Sequence, residues 1–448
     1  MRRYKNILLA ALAALIMIPS ALFAQNYGSI NTYSPYSMYG LGELTTPGTT
    51  FTRGMGGMGV SLRSFTDINL LNPASYSAAL SRSVLFSYSM EGYNMFNKQN
   101  LNGSNVYNSY AGVNIHDIAI QVPLARNLGM GFSITPYSST GYDISTTQNM
   151  VDIGLLSYIY SGSGDITQVK LGVGWAPFKN FSIGAAAQYY WGQLDRAFTL
   201  SPYVVTGNGT YYSTIGITSY DVSRIMAQVG FQWSPISTST KNLSIGAALD
   251  IGGNLKPDYT HTVYGDASLL YFVASEEEEV LSLVLPTQIN AGISYQTPQL
   301  IIGVDYTYQN WLAKNSTLVE YTASGVAVAY NDFGTVKFGM QWTPNRNDAR
   351  HYFRRVSYRG GVRYGGYQNS FGGEEIEQYA ATLGASFPVK NTGISKIDVG
   401  LEYGSLGSSS TYIDADSTVG LIGQQYFKFS LGFSLFGEDY WFQRPKFD

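Results

Sequence analysis

The sequence contains no cysteine. That excludes disulfides, thiolate metal centres and a lipid anchor on an N-terminal cysteine of a mature chain. Charge is scarce as well. Asp, Glu, Lys and Arg make up 13% of the residues, about half the share of a soluble domain. With a formal net charge of -3, no basic field calls for a nucleic-acid partner. His116, His261 and His351 lie far apart and read mostly as strand-end or loop residues. They give no metal-ligand spacing, and no Ser, His and Asp can be grouped as a triad. The chain reads as a non-enzyme that requires no cofactor and no metal. Beyond the first 24 residues, no apolar run reaches the roughly 18 residues that a spanning helix needs.

What is present points elsewhere. Tyr (37) and Gly (49) are both abundant. Tyrosine suits a ring held between lipid and water. Met1 to Ala24 has the form of a secretory leader: Arg2, Arg3 and Lys5, then an apolar run from Ile7 to Ile18, then small residues before Gln25.

The clearest pattern is near the end. From Phe427 to Leu435 every odd position is large and apolar, and the even positions are Lys428, Ser430, Gly432 and Ser434. A period of two over about ten residues is a strand with one greasy face, long enough to cross a bilayer at a tilt. The same alternation recurs at Val169/Leu171/Val173/Trp175, Ile225/Ala227/Val229/Phe231 and Val336/Phe338/Met340/Trp342. Short connections near 126–127, 179–180, 237–241, 298–299, 345–350 and 390–393 alternate with long ones. Short turns belong on the periplasmic side and long loops outside. The expected fold is all-β: a transmembrane antiparallel barrel of about 14 strands over 82–436, in the outer membrane, with both termini periplasmic. Gly437 to Asp448, with Trp441, Phe442, Arg444 and Lys446, forms a C-terminal tail.

Gln25 to Ser81 alternates poorly and is rich in Gly, Pro, Ser and Asn. It is expected to be a compact, irregular segment packed against other protein, its glycines permitting close backbone approach. Several charges fall on inward strand positions: Arg359, Arg363, Asp250, Asp305, Asp398 and Glu402. Unpaired charges enclosed there would be costly, so they are expected to pair with each other or with the N-terminal segment. Glu276 to Glu279 reads as a solvated loop tip, with a divalent-cation site as the alternative. Pro136 sits in the third strand. It has no N–H for a ladder, so it should mark a bulge or a break in pairing.

An irregular N-terminal segment before about fourteen long strands resembles the FadL-type outer-membrane transporters. Asn72-Pro73-Ala74-Ser75 is similar to an element often found before the first strand of that family. Ser34-Pro35-Tyr36-Ser37 with Arg53-Gly54-Met55-Gly56 resembles a Bacteroidetes branch of it. The resemblance implies that residues 25–81 plug the barrel as a hatch. It also implies that small hydrophobic molecules cross the outer membrane, leaving sideways where the third strand kinks. Phe132, Pro136, Tyr137 and Gly141 would then line the exit. The alternative is a non-transporting accessory subunit of an outer-membrane secretion or barrel-assembly complex. Expected partners are outer-membrane lipid, a hydrophobic small molecule in the first case and a protein complex in the second.

Overall fold

The computed structural model describes residues 34–438, apart from 82, 151–153, 206–212, 239, 266–270, 273–282, 313–318, 323–324, 390–394 and 414–418. The expected leader, the tail from residue 439 and the Glu276–Glu279 run lie outside the described residues.

Fourteen antiparallel strands form a closed ring. They are β1 (Ser83–Leu101), β2 (Ser104–Ala125), β3 (Leu128–Met150), β4 (Gly154–Phe178), β5 (Phe181–Val205), β6 (Thr214–Ser237) and β7 (Asn242–Ile251). Then follow β8 (Thr287–Gln296), β9 (Leu300–Asn310), β10 (Phe333–Trp342), β11 (Ser357–Phe371), β12 (Glu374–Pro388), β13 (Lys396–Leu406) and β14 (Gly423–Glu438). β14 closes the ring on β1, from Ser83 opposite Glu438 to Lys98 opposite Gly423. The strand runs two residues past Phe436, the expected end.

Alternation decides the two faces. Phe427, Phe429 and Leu435 are exposed, while Ser430 and Gly432 are buried. Val173, Trp175, Ile225, Phe231, Val336 and Met340 are also exposed. A band of large apolar side chains on the outside of a closed sheet is what a lipid environment stabilises. Where its ladders are complete, such a ring satisfies the backbone groups internally, so strands can cross hydrocarbon.

The polar stretches Lys98–Asn108 and Gln368–Glu375 are strand up to their tips. Their tips are tight two-residue turns, Asn102-Gly103 and Gly372-Gly373, with positive φ at all four positions. Polar residues in these arms hid the strand pattern. Conversely, the turn between β10 and β11 spans 343–356 and carries a short 3-10 helix, Tyr352–Arg354.

Residues 34–81 run round the inside of this ring. Thr50 lies against Gly432 of β14, Gly54 against Gly384 of β12, and Met55 against Gly361 and Gly339 of β11 and β10. Met58 meets Gly303 of β9, Val60 meets Gly246 of β7, and Asn72 meets Gly230 of β6. Pro73 covers Gly184 and Gly174 of β5 and β4, and the Tyr76 ring covers Gly131 of β3. Polar contacts reach the other four strands. Arg53 pairs with Glu91 of β1, Thr46 contacts His116 of β2, Ser61 contacts Ser294 of β8, and Asp67 pairs with Lys396 of β13. A segment that touches all fourteen strands on their inward positions lies within the ring. The inward glycines make the room: a Cβ on Gly184 would lie 2.4 Å from the backbone of Pro73 and Ala74. Met55, Met58, Leu62 and Phe51 form a buried cluster inside it.

Candidate functional site

Two features of the lumen bear on function: its polar ties and a split in its wall. Asp305 of β9 accepts the N–H of Gly59 (2.6 Å) and of Val60 (2.8 Å). A carboxylate taking two successive amides fixes that bend of the segment. Arg359 donates to Asp398 (3.0 Å) and to Gln341 (2.8 Å). Arg363 meets both carboxylate oxygens of Glu402 (3.1 and 2.5 Å) and the Tyr426 hydroxyl (2.9 Å). Asp250 accepts from Gln188 (2.8 Å) and Asn290 (3.1 Å). The six inward charges are therefore held by one another, by lumenal amides or by the segment. Burial alone would raise the Asp67 carboxyl, but the Lys396 ammonium and the Arg359 guanidinium outweigh it and hold it well below the usual carboxylate range.

The Asn72-Pro73-Ala74-Ser75 element has a clear mechanical role. Asn72 caps the 3-10 helix Pro73–Ala78 by accepting the Ala74 N–H (3.0 Å). Its amide donates to the carbonyls of Val60 (2.9 Å), Phe231 (3.0 Å) and Ala247 (3.2 Å). One side chain thus ties the segment to β6 and β7. Ser75 closes the turn onto the Asn72 carbonyl (2.7 Å).

The wall is split between β2 and β3. Their pairing starts at the turn, Ala125 opposite Leu128, and ends at Ile118 opposite Ile134. Beyond it β2 stays paired to β1 as far as Ser104, and β3 to β4 as far as Met150. Pro136 stands at the parting, and the β3–β4 register slips between Pro136 and Ser138. Phe132 shares the outer face with its partners Ile120 and Leu171. Tyr137, five positions on, takes the inner face by plain alternation and packs edge-on against the buried ring of Tyr190, 4.9 Å away. Beyond the slip the faces are inverted, and Ser138 pairs with the buried Ile166. Phe132 and Tyr137 are thus on opposite sides of the wall and do not line one passage.

The N-terminal segment occupies the freed edge of β3. Glu43 and Leu44 pair with Ser139 and Ser138, and the Thr45 N–H donates to Tyr137 O (2.9 Å). Ser34 N–H donates to Gly141 O, and Gly141 N–H to the Ser37 hydroxyl, both at 2.9 Å. A crevice of about 30 Å³ remains between this edge and β2, lined by Leu44, Ile115, His116 and Pro136. A lumenal cavity of about 100 Å³ lies beside it, lined by Tyr137, Lys170, Gln188, Gln228, Asp250 and Asn290 among others.

One cluster escapes a reading of the sequence. His116 and Asp117 both turn inward at a bulge in mid-β2, opposite Ser89 and Met90. His116 is fully enclosed rather than at a strand end, its ring 3.3 Å from both Thr46 O and the Asp117 carboxylate. Asp117 accepts from Ser87 (2.9 Å) and Ser89. Nearby, Arg53 and Lys428 (3.4 Å) converge on Glu91. Glu91 has the parity of the inward Ser87 and Ser89, so the period of two could have found it. The bulge could not be found that way. Among the described residues no group of three or more His, Asp or Glu could hold a metal ion.

A closed fourteen-strand barrel with a filled lumen and an apolar outer band has the fold of a FadL-like transmembrane barrel. Over residues 4–448 the sequence matches the BamG family, and the chain belongs to it. The fold is shared with a Pseudomonas aeruginosa FadL homologue (12% identity, TM-score 0.54, covering 87% of this chain and 99% of that one). It is shared equally with the Ralstonia pickettii toluene transporter TbuX (15%, 0.52, 86% and 97%). A TodX monoaromatic hydrocarbon channel variant gives 13%, 0.57, 86% and 98%. No curated protein matches the sequence.

Proposed function

We propose that this chain is a sealed, non-transporting subunit of an outer-membrane complex, of the barrel-assembly or secretion kind. The observation that carries this reading is the filled lumen. The segment 34–81 touches every strand, and its charges are tied down. The cavity beside the wall split is about 100 Å³, with a lining divided between polar and apolar groups. A site for a greasy molecule is usually several hundred Å³ and mainly apolar. The family name, BamG, is a further hint in the same direction. In this reading residues 1–24 are a leader and 25–81 a structural hatch. Both termini are periplasmic, and 437–448 is a tail available for contact.

A second reading, passage of small hydrophobic molecules through a lateral opening, is favoured by the split above Ile134 and by the channels that share the fold. Two measurements separate them. Purified barrel in planar bilayers should show no steady conductance, and mild-detergent extraction of the tagged protein should recover it in a larger complex. Isolation as a lone barrel, with uptake of a hydrophobic compound lost on its depletion, would sink the first reading.

A further inference from the structure

The turn between β10 and β11 is unlike the rest of this acidic protein. Residues 343–356 carry Arg346, Arg350, Arg354 and Arg355 against one acid, Asp348. Asp348 is already engaged: it accepts the N–H of Arg350 and His351, both at 2.8 Å, and pairs with Arg354 at 3.3 Å. Among the described residues, Arg346, Arg350 and Arg355 have no carboxylate partner. Arg355 lies over the Tyr352 ring at 5.1 Å, and its buried Nε has no acceptor.

Position supplies the second half of the argument. The turn hangs from Trp342 and Tyr358, outward-facing rings 6.2 Å apart, as at a membrane–water boundary. Phe353 is 70% exposed, and its carbonyl accepts the Tyr358 hydroxyl (3.2 Å). It therefore sits on the outer face of the wall and not over the lumen. A phenyl ring so open is stable where acyl chains meet headgroups. Guanidinium groups held beside it are then at the depth of lipid phosphates, whose oxygens match their paired donors.

We propose that this turn binds the phosphate of an anionic glycerophospholipid in the leaflet at the short-turn end of the barrel. Free phosphate or an acidic polypeptide would use the arginines but leave Phe353 unexplained. Other short turns at this end carry Arg126, Lys179 and Lys241, so the rim as a whole favours anionic lipid.

The test uses full-length protein in mild detergent with equal phosphatidylglycerol and phosphatidylethanolamine, bound lipid being counted by native mass spectrometry. Wild type should retain phosphatidylglycerol several-fold over phosphatidylethanolamine; equal retention overturns the proposal. One arginine at an anionic surface is worth about fivefold. R346Q/R350Q/R355Q should therefore abolish the preference, bringing the two lipids to equal retention, whereas Lys98→Gln at the opposite rim should not change it. An unchanged preference in a triple variant that still forms a heat-modifiable barrel refutes the site. If the triple variant does not fold, Phe353→Ser takes its place and should lower retention; no effect there counts against the proposal. Displacement of phosphatidylglycerol by excess inorganic phosphate, or binding of polyglutamate without any lipid preference, would mean a different ligand and overturn it.

Discussion

Arg363 and Glu402 meet across one intervening strand, guanidinium to carboxylate, with two hydrogen bonds and almost no exposure. Such a pair adds little over a well-packed apolar pair. Leaving one member alone is what costs. Glu402→Met or Arg363→Met should each destabilise the barrel by about 3–5 kcal/mol. The double change Arg363→Met with Glu402→Met should cost far less than their sum. Urea unfolding of the four proteins in detergent micelles measures the cycle, and additivity would contradict the pairing.

The Asp305 carboxylate holds two backbone amides of the N-terminal segment. Asp305→Ala leaves both buried N–H groups without an acceptor, at about 1–3 kcal/mol each. The barrel should still form, but hydrogen exchange at Gly59 and Val60 should rise sharply. Retained protection there would show that other contacts hold the bend.

Glycines under the segment should be intolerant, and those with open space at the Cβ position should not. Gly184→Ala would drive a Cβ to 2.4 Å from the Pro73 and Ala74 backbone, whereas at Gly92 the nearest atom is 3.8 Å away. Heat-modifiable folding in cells should fall for the first and stay intact for the second.

Leu44→Cys with Ser138→Cys would lock the segment onto the freed edge of β3, since these residues are directly paired. A sealed subunit should work normally when oxidised. If hydrophobic compounds pass through the split, uptake should stop on oxidation and return on reduction.

Asp348 gives a prediction in pH. Its carboxyl is held at about 2, first by the His351 and Arg350 amides and then by the His351 side chain, against a small opposing effect of burial. A depressed carboxyl stabilises the folded turn above its ordinary value of about 4, and that contribution fades as pH falls toward 2. Protection of the Arg350 and His351 amides should therefore hold from neutrality to about pH 4 and decline below it. In Asp348→Asn the dependence should vanish.

Much of the barrel is legible from a period of two. The exposed Phe427 and Phe429, the inward Arg359 and Arg363, and the odd proline at 136 all follow from which face a residue takes and what a ladder requires. The path of residues 34–81 does not follow, because nothing local fixes it. It is set by where fourteen separate strands place a glycine or a polar partner. The same limit hides the enclosed His116. One extra residue at a bulge reverses parity, and parity is all the pattern offers. Ser138 shows this on the other side of the split: it pairs with the buried Ile166, whereas Phe132, of the same parity, pairs with the exposed Leu171.

The circumferential contact of residues 34–81 constrains the order of events in assembly. Ser34 bonds to Gln424 (2.8 Å), a partner 390 positions later in the chain. The segment is made first, yet its last contacts come into being only with β14. Once β1 and β14 zip together, no gap in the sheet is wide enough to admit a chain that wraps the whole interior. The segment must therefore be in place while the sheet is still an open ribbon, and the wall must curl around it. Contacts so distant in sequence form slowly. During that interval the ribbon has two bare edges and a half-covered apolar core. Productive closure would then depend on a factor that shields those edges until the ring shuts.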